Sequence, residues 1–180
     1  MVDPTKIENK FVFKKEKINL VDDITNLIKG FTDSANERNV KIKFVFDEEQ
    51  TFYVYGHRFK LYQVFGALIG YCLEFTKDGS IDISLARTID KKAYATLSIH
   101  KTGLGIDSKI LPRLFSKSSK SGSGLFIAKL ILKVDRGTIS AFNNADNKGT
   151  TFVVTLPLAN LHGPEDVSQA TFQQKQERRL

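Results

Sequence analysis

The chain has 180 residues, of which 41% are hydrophobic, and this length is enough for one buried core but too short for two full domains. Cys72 is the single cysteine, so an internal disulfide is excluded. His57, His100 and His162 lie far apart along the chain, which makes a Cys/His zinc site improbable. No 18-residue apolar run and no signal peptide are present, so we expect a cytoplasmic protein without a membrane span.

The charge is strongly basic, with a formal net charge of +7 and a pI near 9.4. Such a balance favours anionic neighbours. Nucleic acid, an acidic protein and a membrane surface all fit this description, and charge alone does not choose among them.

Hydrophobic periodicity predicts the helices and strands in the first half of the chain. Residues 1–18 are interpreted as an N-terminal arm or edge strand, and the Asn19 side chain can cap the helix that follows. One apolar face of this helix is formed by Leu20, Ile24, Leu27, Ile28, Phe31 and Ala35. Alternation predicts a strand at 40–46, a turn at 47–50 and a second strand at 51–55. A central helix from Arg58 to about Thr76 has a broad apolar stripe formed by Leu61, Val64, Phe65, Leu68, Ile69, Cys72 and Leu73.

The second half alternates strands with short helices. We predict a turn at 77–80, paired strands starting at 81 and 93, a short helix capped by Asp107 or Ser108, a basic loop at 116–124, a helix at 125–133, and strands at 138–142 and 150–156. Helices that recur between paired strands favour an α/β (α+β) two-layer sandwich. Its sheet is expected to be mixed and mostly antiparallel, with the helices on one face. The domain spans 19–158, and 159–180 is a polar C-terminal tail.

Two pairs of glycines suggest a pocket. Gly103 and Gly105 follow one apolar run, and Gly122 and Gly124 precede another. Glycines at this spacing let a backbone turn come close to a ligand or another element. Lys101 precedes the first pair, and lysines and serines precede the second, where a nucleotide site would carry a carboxylate and more glycine.

Five segments together resemble the catalytic and ATP-binding domain of sensor histidine kinases. The segments are residues 61–76, 102–106, 110–115, 122–129 and 148–157. This domain belongs to the GHKL, or Bergerat-fold, ATPases of the HATPase_c type. The resemblance covers roughly residues 11–158 in the right order and spacing. It implies the Bergerat fold, and in an active member ATP and magnesium as cofactors.

The resemblance fails at the positions that touch nucleotide. The family's two asparagines, one of them a magnesium ligand, fall at Ala67 and Tyr71. The family's adenine-reading aspartate falls at Lys101, a donor that would face another donor. Lys120 stands where the leading glycine of the second glycine box aligns. We therefore predict a vestigial pocket formed by Ala67, Tyr71, Lys101, Gly103, Gly105, Gly122 and Gly124, with no catalytic residue, no metal and no nucleotide cofactor.

Three functions remain open at this point. The favoured one is a pseudokinase-like, non-catalytic interaction or regulatory module with a protein partner, such as a subunit of a larger assembly. The second is the ATP-binding domain of a divergent histidine kinase that acts in trans, since nothing before Asn19 is long enough for a phosphoacceptor hairpin. The third is a nucleic-acid-associated protein. Its phosphate or partner contacts would be Lys117, Lys120, Lys129, Lys133 and Arg136.

The histidines and the cysteine have simpler interpretations. Cys72 lies on the apolar stripe, so we expect a core residue and not a nucleophile. His57 and His100 lack a surrounding carboxylate pattern and are expected to be structural.

Overall fold

The computed structural model describes residues 14–90, 92–117, 123–145 and 148–159. Four helices and seven strands lie within these ranges. In chain order they are β1 Glu16–Asn19, α1 Leu20–Gly30, α2 Thr32–Glu37, β2 Val40–Phe46, β3 Tyr53–Gly56, α3 Arg58–Glu74, β4 Gly79–Asp90, β5 Lys92–Leu104, α4 Ser123–Val134, β6 Thr138–Asn143 and β7 Lys148–Pro157. A short 3-10 helix at Leu111–Arg113 follows β5.

A five-stranded sheet in the order β2-β4-β5-β7-β6 forms the centre of the fold. Only the β2–β4 pair is parallel, and the other three pairs are antiparallel. Alternate residues of the middle strands are buried, which leaves one covered face and one more exposed face. The predicted mixed, mostly antiparallel α/β fold is therefore confirmed.

The central helix and the first helix cap follow the prediction. All seven residues of the predicted α3 stripe are buried, at 3% exposure or less. The Asn19 side chain accepts a hydrogen bond from the backbone N–H of Val21 at 3.1 Å. The stripe places α3 over the sheet, because a helix that is apolar around most of its circumference must be covered on most sides.

The helix predicted from Leu20 to Ala35 is interrupted. The structure ends α1 at Gly30 and begins α2 at Thr32, and the N–H of Phe31 turns back to the carbonyl of Ile28. Glycine is a poor helix former, which explains a break at this position. Phe31 still packs against the core, so the apolar face that the sequence predicts is retained across the break.

The turn at 47–50 forms, but the strand after it does not pair with β2. The Gln50 N–H bonds to the carbonyl of Asp47 at 3.1 Å. Beyond the turn, β3 pairs antiparallel with β1 in a separate two-stranded sheet. The N-terminal edge strand is thus four residues long, and residues 1–13 lie outside the described ranges.

The short helix expected after Asp107 is a single 3-10 turn. Asp107 does act at its start, since its side chain accepts the Lys109 N–H at 2.7 Å. The turn ends at Arg113, whose carbonyl accepts the Ser116 N–H and hydroxyl group. Within the described ranges, no helix combines the length and the apolar character needed to cross a membrane.

Candidate functional site

A cavity of about 430 Å³ lies where the C-terminal end of α3 meets the turn after β5. It is lined by Tyr71, Phe75, Lys101, Leu104, Gly105, Ile106, Asp107 and Ile110. The structure thus brings together Tyr71, Lys101 and Gly105 from the predicted pocket. The wall is mostly apolar, and Lys101 and Asp107 supply its charged side chains.

Lys101 lies at the base of the cavity. On β5 it continues the inward-facing series of Leu97 and Ile99, so its side chain points toward the helices and is 1% exposed. Its Nζ donates hydrogen bonds to the carbonyl of Leu104 at 2.8 Å and to that of Phe75 at 3.3 Å. Phe75 caps the C-terminus of α3, where the helix dipole stabilises a cation.

Burial changes the protonation of two neighbouring groups. Removal from water lowers the pKa of Lys101, an effect that the nearby Cys72 partly opposes. Burial raises the pKa of the Cys72 thiol to about 12, although the charge of Lys101 works in the other direction. Cys72 is therefore a protonated core thiol, which agrees with its predicted structural role.

The glycines of the first pair shape the turn beside the cavity. Gly103 has a φ of +95°, a left-handed conformation that side chains rarely adopt. A Cβ on Gly105 would lie 2.8 Å from Cγ of Asn143. The Asn143 side-chain amide forms two hydrogen bonds with the backbone of Ile106. It accepts one from the N–H at 2.8 Å and donates one to the carbonyl at 2.7 Å. Gly103 is thus required by its left-handed backbone, and Gly105 by the close approach of the Asn143 side chain.

Sequence reasoning did not identify Asn143, which lies 37 residues from Ile106. We expect Asn143→Ala to lower the free energy of unfolding by about 1–3 kcal/mol, because a buried N–H would lose its acceptor. Chemical denaturation measures this loss. Asn26→Ala, a change on the exposed face of α1, is the matched control and should change stability by less than about 0.5 kcal/mol. Equal stability of the two variants would contradict the role given to Asn143.

The positions aligned with the family's asparagines lie on the face of α3 near α4. A Cβ added to Gly124 would stand 3.7 Å from the Cβ of Ala67, so the first turn of α4 packs directly on this part of α3. The Tyr71 ring lies 4.6 Å from the ring of Phe75 and 5.5 Å from that of Phe152, centroid to centroid. Neither residue offers the carboxylate or amide oxygen that Mg²⁺ prefers.

The residues present here do not fit a magnesium ion. Among the described residues, no group of three or more His, Cys, Asp or Glu side chains could hold a metal. The packing of Tyr71 against two aromatic rings further shows that this position contributes to the core and not to a polar cradle.

The basic residues proposed as anion or partner contacts lie away from the cavity. Lys117, Lys129 and Arg136 are exposed, and none of them lines it. Lys120 and Gly122 lie outside the described ranges. Lys117, Lys129 and Arg136 are therefore not part of the cavity.

Both central histidines have structural partners. His57 contacts the buried Asp135 through its backbone N–H at 3.3 Å and through Nδ1 at 3.2 Å, and Lys15 bridges to the same carboxylate at 2.9 Å. His100 lies between Thr151 and Asn144. The first cluster fastens the end of α4 to the start of α3, so these two helices run antiparallel.

Comparisons with known proteins give the same family on several grounds. Residues 56–160 match the family described as histidine kinase-, DNA gyrase B-, and HSP90-like ATPases. Sensor histidine kinase CusS of Escherichia coli O6:H1 is 30% identical over 160 residues, which are 83% of this chain and 32% of CusS. Histidine kinase P4 of Formosa agariphila is 30% identical over 177 residues, or 90% of this chain and 13% of that protein. The chain spans about a third of CusS.

Solved structures share the fold. The catalytic domain of histidine kinase ThkA superposes with a TM-score of 0.72 at 22% identity, over 81% of this chain and 96% of that one. ThkA in complex with the response regulator TrrA gives a TM-score of 0.70 at 22% identity, over 86% and 45% of the two chains. From the match over more than half of its length, the chain belongs to the histidine kinase-, DNA gyrase B- and HSP90-like ATPases, and it shares the fold of a histidine kinase catalytic domain.

Proposed function

We propose that this domain no longer binds Mg-ATP and acts as a non-catalytic interaction or regulatory module of two-component signalling. The observation that carries the proposal is the buried Lys101 at the adenine-reading position, with its Nζ held by two backbone carbonyls. This side chain occupies the base of the cavity.

Lys101 opposes adenine by hydrogen-bond chemistry. A lysine ammonium has three donors and no acceptor, whereas the adenine amino group is itself a donor. Each buried donor left without a partner costs about 1–3 kcal/mol. An adenine placed here would leave its amino group as an unpaired buried donor, and Lys101 could not accept a hydrogen bond from it.

The contacts that would hold a metal ion involve residues other than Lys101. Ala67 has no ligating atom, and the Tyr71 ring is packed between Phe75 and Phe152. A triphosphate in this cavity would therefore lack the ion that neutralises its charge in nucleotide-binding sites. The loss of base recognition and the loss of the metal reinforce each other.

A protein is the partner class we propose. The ThkA structure contains a response regulator, which makes a component of two-component signalling the first partner to test. The net charge of +7 favours an acidic face on that partner. The comparisons give no support to a nucleic-acid partner, and the exposed Lys117, Lys129 and Arg136 do not assemble with the cavity.

Titration calorimetry with Mg-ATP and Mg-ADP tests the proposal. We expect no binding in the micromolar range, because both the base and the metal contacts are missing. ShkA, whose structure contains AMPPNP and superposes with a TM-score of 0.70 at 17% identity, is the positive control under the same conditions. Micromolar binding by this chain would overturn the proposal.

One observation favours the alternative, a divergent histidine kinase domain that acts in trans. The cavity keeps about 430 Å³ of space, and the Gly103 turn beside it is intact. The alternative requires transfer of phosphate from labelled ATP to the phosphoacceptor hairpin of a separate sensor kinase. We expect no transfer above the level of a reaction without this protein.

A further inference from the structure

We propose that the cavity binds a small organic anion with a flat, apolar body, and that Lys101 provides its countercharge. The inference uses the same cavity as the proposed loss of Mg-ATP but does not depend on that loss. It rests on three features of the structure, which are the walls, the opening and the uncompensated charge.

The walls suit an apolar body. Tyr71, Phe75, Ile106 and Ile110 surround the space, and binding sites for small molecules are commonly apolar clefts with a few polar groups. Aromatic side chains on one wall favour a flat ring system, since such rings stack or meet edge to face. A volume of about 430 Å³ falls in the range of ligand sites, roughly 300–1,000 Å³.

The cavity is open to solvent, and two of the apolar residues that line it are exposed. Leu104 is 87% exposed and Phe75 is 51% exposed, although both also line the cavity. Large apolar side chains at a rim are costly to leave in water and are covered when a ligand enters. A ligand would therefore bury the parts of these side chains that now face solvent.

The charge at the base has no ionic partner. Among the described residues, Lys101 forms no salt bridge, and its Nζ uses two of its three donors on the carbonyls of Phe75 and Leu104. Asp107 also lines the cavity, but its exposed carboxylate accepts the N–H of Lys109. A buried cation without a counterion is unfavourable, so an anion in the cavity is stabilised by it.

The chemistry favours a monoanion over a phosphate. Lys101 is the only cationic side chain that lines the described cavity, and the walls cannot replace the water around a multiply charged group. A carboxylate or sulfonate on an aromatic framework places one charge near Lys101 and the rings against Tyr71 and Phe75. The ligand class is therefore an aromatic or amphiphilic organic acid.

A pair of fluorescent probes tests the role of charge. 8-Anilinonaphthalene-1-sulfonate carries the sulfonate, and N-phenyl-1-naphthylamine has the same ring framework without it. At pH 7 we expect the sulfonate to bind at least tenfold more tightly than the neutral probe. The Lys101→Met variant should bind the two probes with equal affinity, and Lys41→Met, on the exposed side of edge strand β2, should keep the preference.

A second measurement needs no substitution. The pKa of Lys101 lies below its usual value, so the preference for the sulfonate should fall as the pH is raised toward 10.5. The other titratable side chains near Lys101 are Cys72, whose thiol pKa is raised by burial to about 12, and the cavity-lining Tyr71 and Asp107. The sulfonate does not titrate, so the change reports on the protein.

The outcomes separate two possible failures. Equal affinity of the two probes for the unmodified protein, absence of binding, or a preference that survives both Lys101→Met and high pH would overturn the inference. Displacement of the bound sulfonate by Mg-ATP would instead overturn the proposed function, while the charge preference would still support the role of Lys101. Circular dichroism of Lys101→Met confirms that its fold is intact before the affinities are compared.

Discussion

Lys101→Met should be at least as stable as the unmodified protein at pH 7, in spite of losing two hydrogen bonds. Replacement of a buried ion pair by apolar side chains of similar volume is often neutral or stabilising by about 1–4 kcal/mol, and a buried cation without an ionic partner has no ion-pair attraction to lose. The carbonyls of Phe75 and Leu104 lose their donor, but the cavity beside them reaches solvent and water can take its place. The penalty removed is that of a cation enclosed at 1% exposure.

The difference in stability between Lys101→Met and the unmodified protein should depend on pH. The pKa of Lys101 is lower in the folded protein than in the unfolded chain because burial disfavours the charged form. Between these two pKa values the unfolded state binds more protons, so the stability of the unmodified protein rises with pH. Below the folded-state pKa the penalty is constant. Any stability that Lys101→Met gains over the unmodified protein at pH 7 should therefore decrease as the pH approaches 10.5, because the unmodified protein then also loses the buried charge.

Urea denaturation at several pH values between 7 and 10.5 measures the difference. Lys41→Met removes an exposed lysine from an edge strand and serves as the matched control, with a difference that stays flat across the range. A difference between Lys101→Met and the unmodified protein that grows with pH would contradict the burial of a charged ammonium. So would a large loss of stability at pH 7.

Elements with a strong local pattern could be predicted from the sequence. Strand β2 has the predicted bounds because its apolar and polar residues alternate without interruption over Val40–Phe46. The stripe of α3 was equally clear, because seven residues on one helical face admit no strand interpretation. In both cases the pattern of apolar and polar residues that predicts the element lies within the element itself.

Pairing between distant short strands could not be predicted in this way. Strands β1 and β3 have four residues each, and only Ile18 in the first is buried. The register that joins Glu16 to Gly56 depends on long-range packing, and a strand of four residues carries too little alternation to specify its partner. The turn at 47–50 likewise gave no indication that β3 pairs with β1.

In the candidate site, too, features with a local sequence pattern could be predicted and long-range contacts could not. The cavity lies beside the turn that carries the first glycine pair, and the inward position of Lys101 could have been found from its alternation with Leu97 and Ile99. The hydrogen bonds that hold its Nζ could not, since one comes from Phe75 at the end of another element. Asn143 was missed for the same reason, because a single polar residue at a strand end gives no sequence signal for a contact with Ile106.

A variant with Ala67→Asn, Tyr71→Asn and Lys101→Asp should bind Mg-ATP at least tenfold more tightly than the unmodified protein. The three changes return an acceptor for the adenine amino group and amide oxygens for the metal. A hydrogen bond to a charged group contributes about 1.5–3 kcal/mol, and about 1.4 kcal/mol corresponds to a factor of ten in affinity. Calorimetry under the conditions of the Mg-ATP titration above measures the gain.

The stability of this variant needs a separate measurement. Tyr71→Asn removes a ring packed against Phe75 and Phe152, and large-to-small changes in packed sites cost about 2–5 kcal/mol. At position 67 an asparagine side chain has to fit beside the first turn of α4, because a Cβ added to Gly124 would already lie 3.7 Å from the Cβ of Ala67. Thermal unfolding followed by circular dichroism shows whether the variant is folded at the temperature of the titration.

The informative control keeps Lys101 and changes only the helix. Tyr71→Asn enlarges the cavity, and together with Ala67→Asn it supplies the metal oxygens, but the buried ammonium of Lys101 would still face the adenine amino group. If Lys101 is the main barrier, this double variant should bind Mg-ATP no better than the unmodified protein, and adding Lys101→Asp should produce the gain. A double variant that binds as tightly as the triple would show that the bulk of Tyr71, and not the charge of Lys101, excludes the nucleotide.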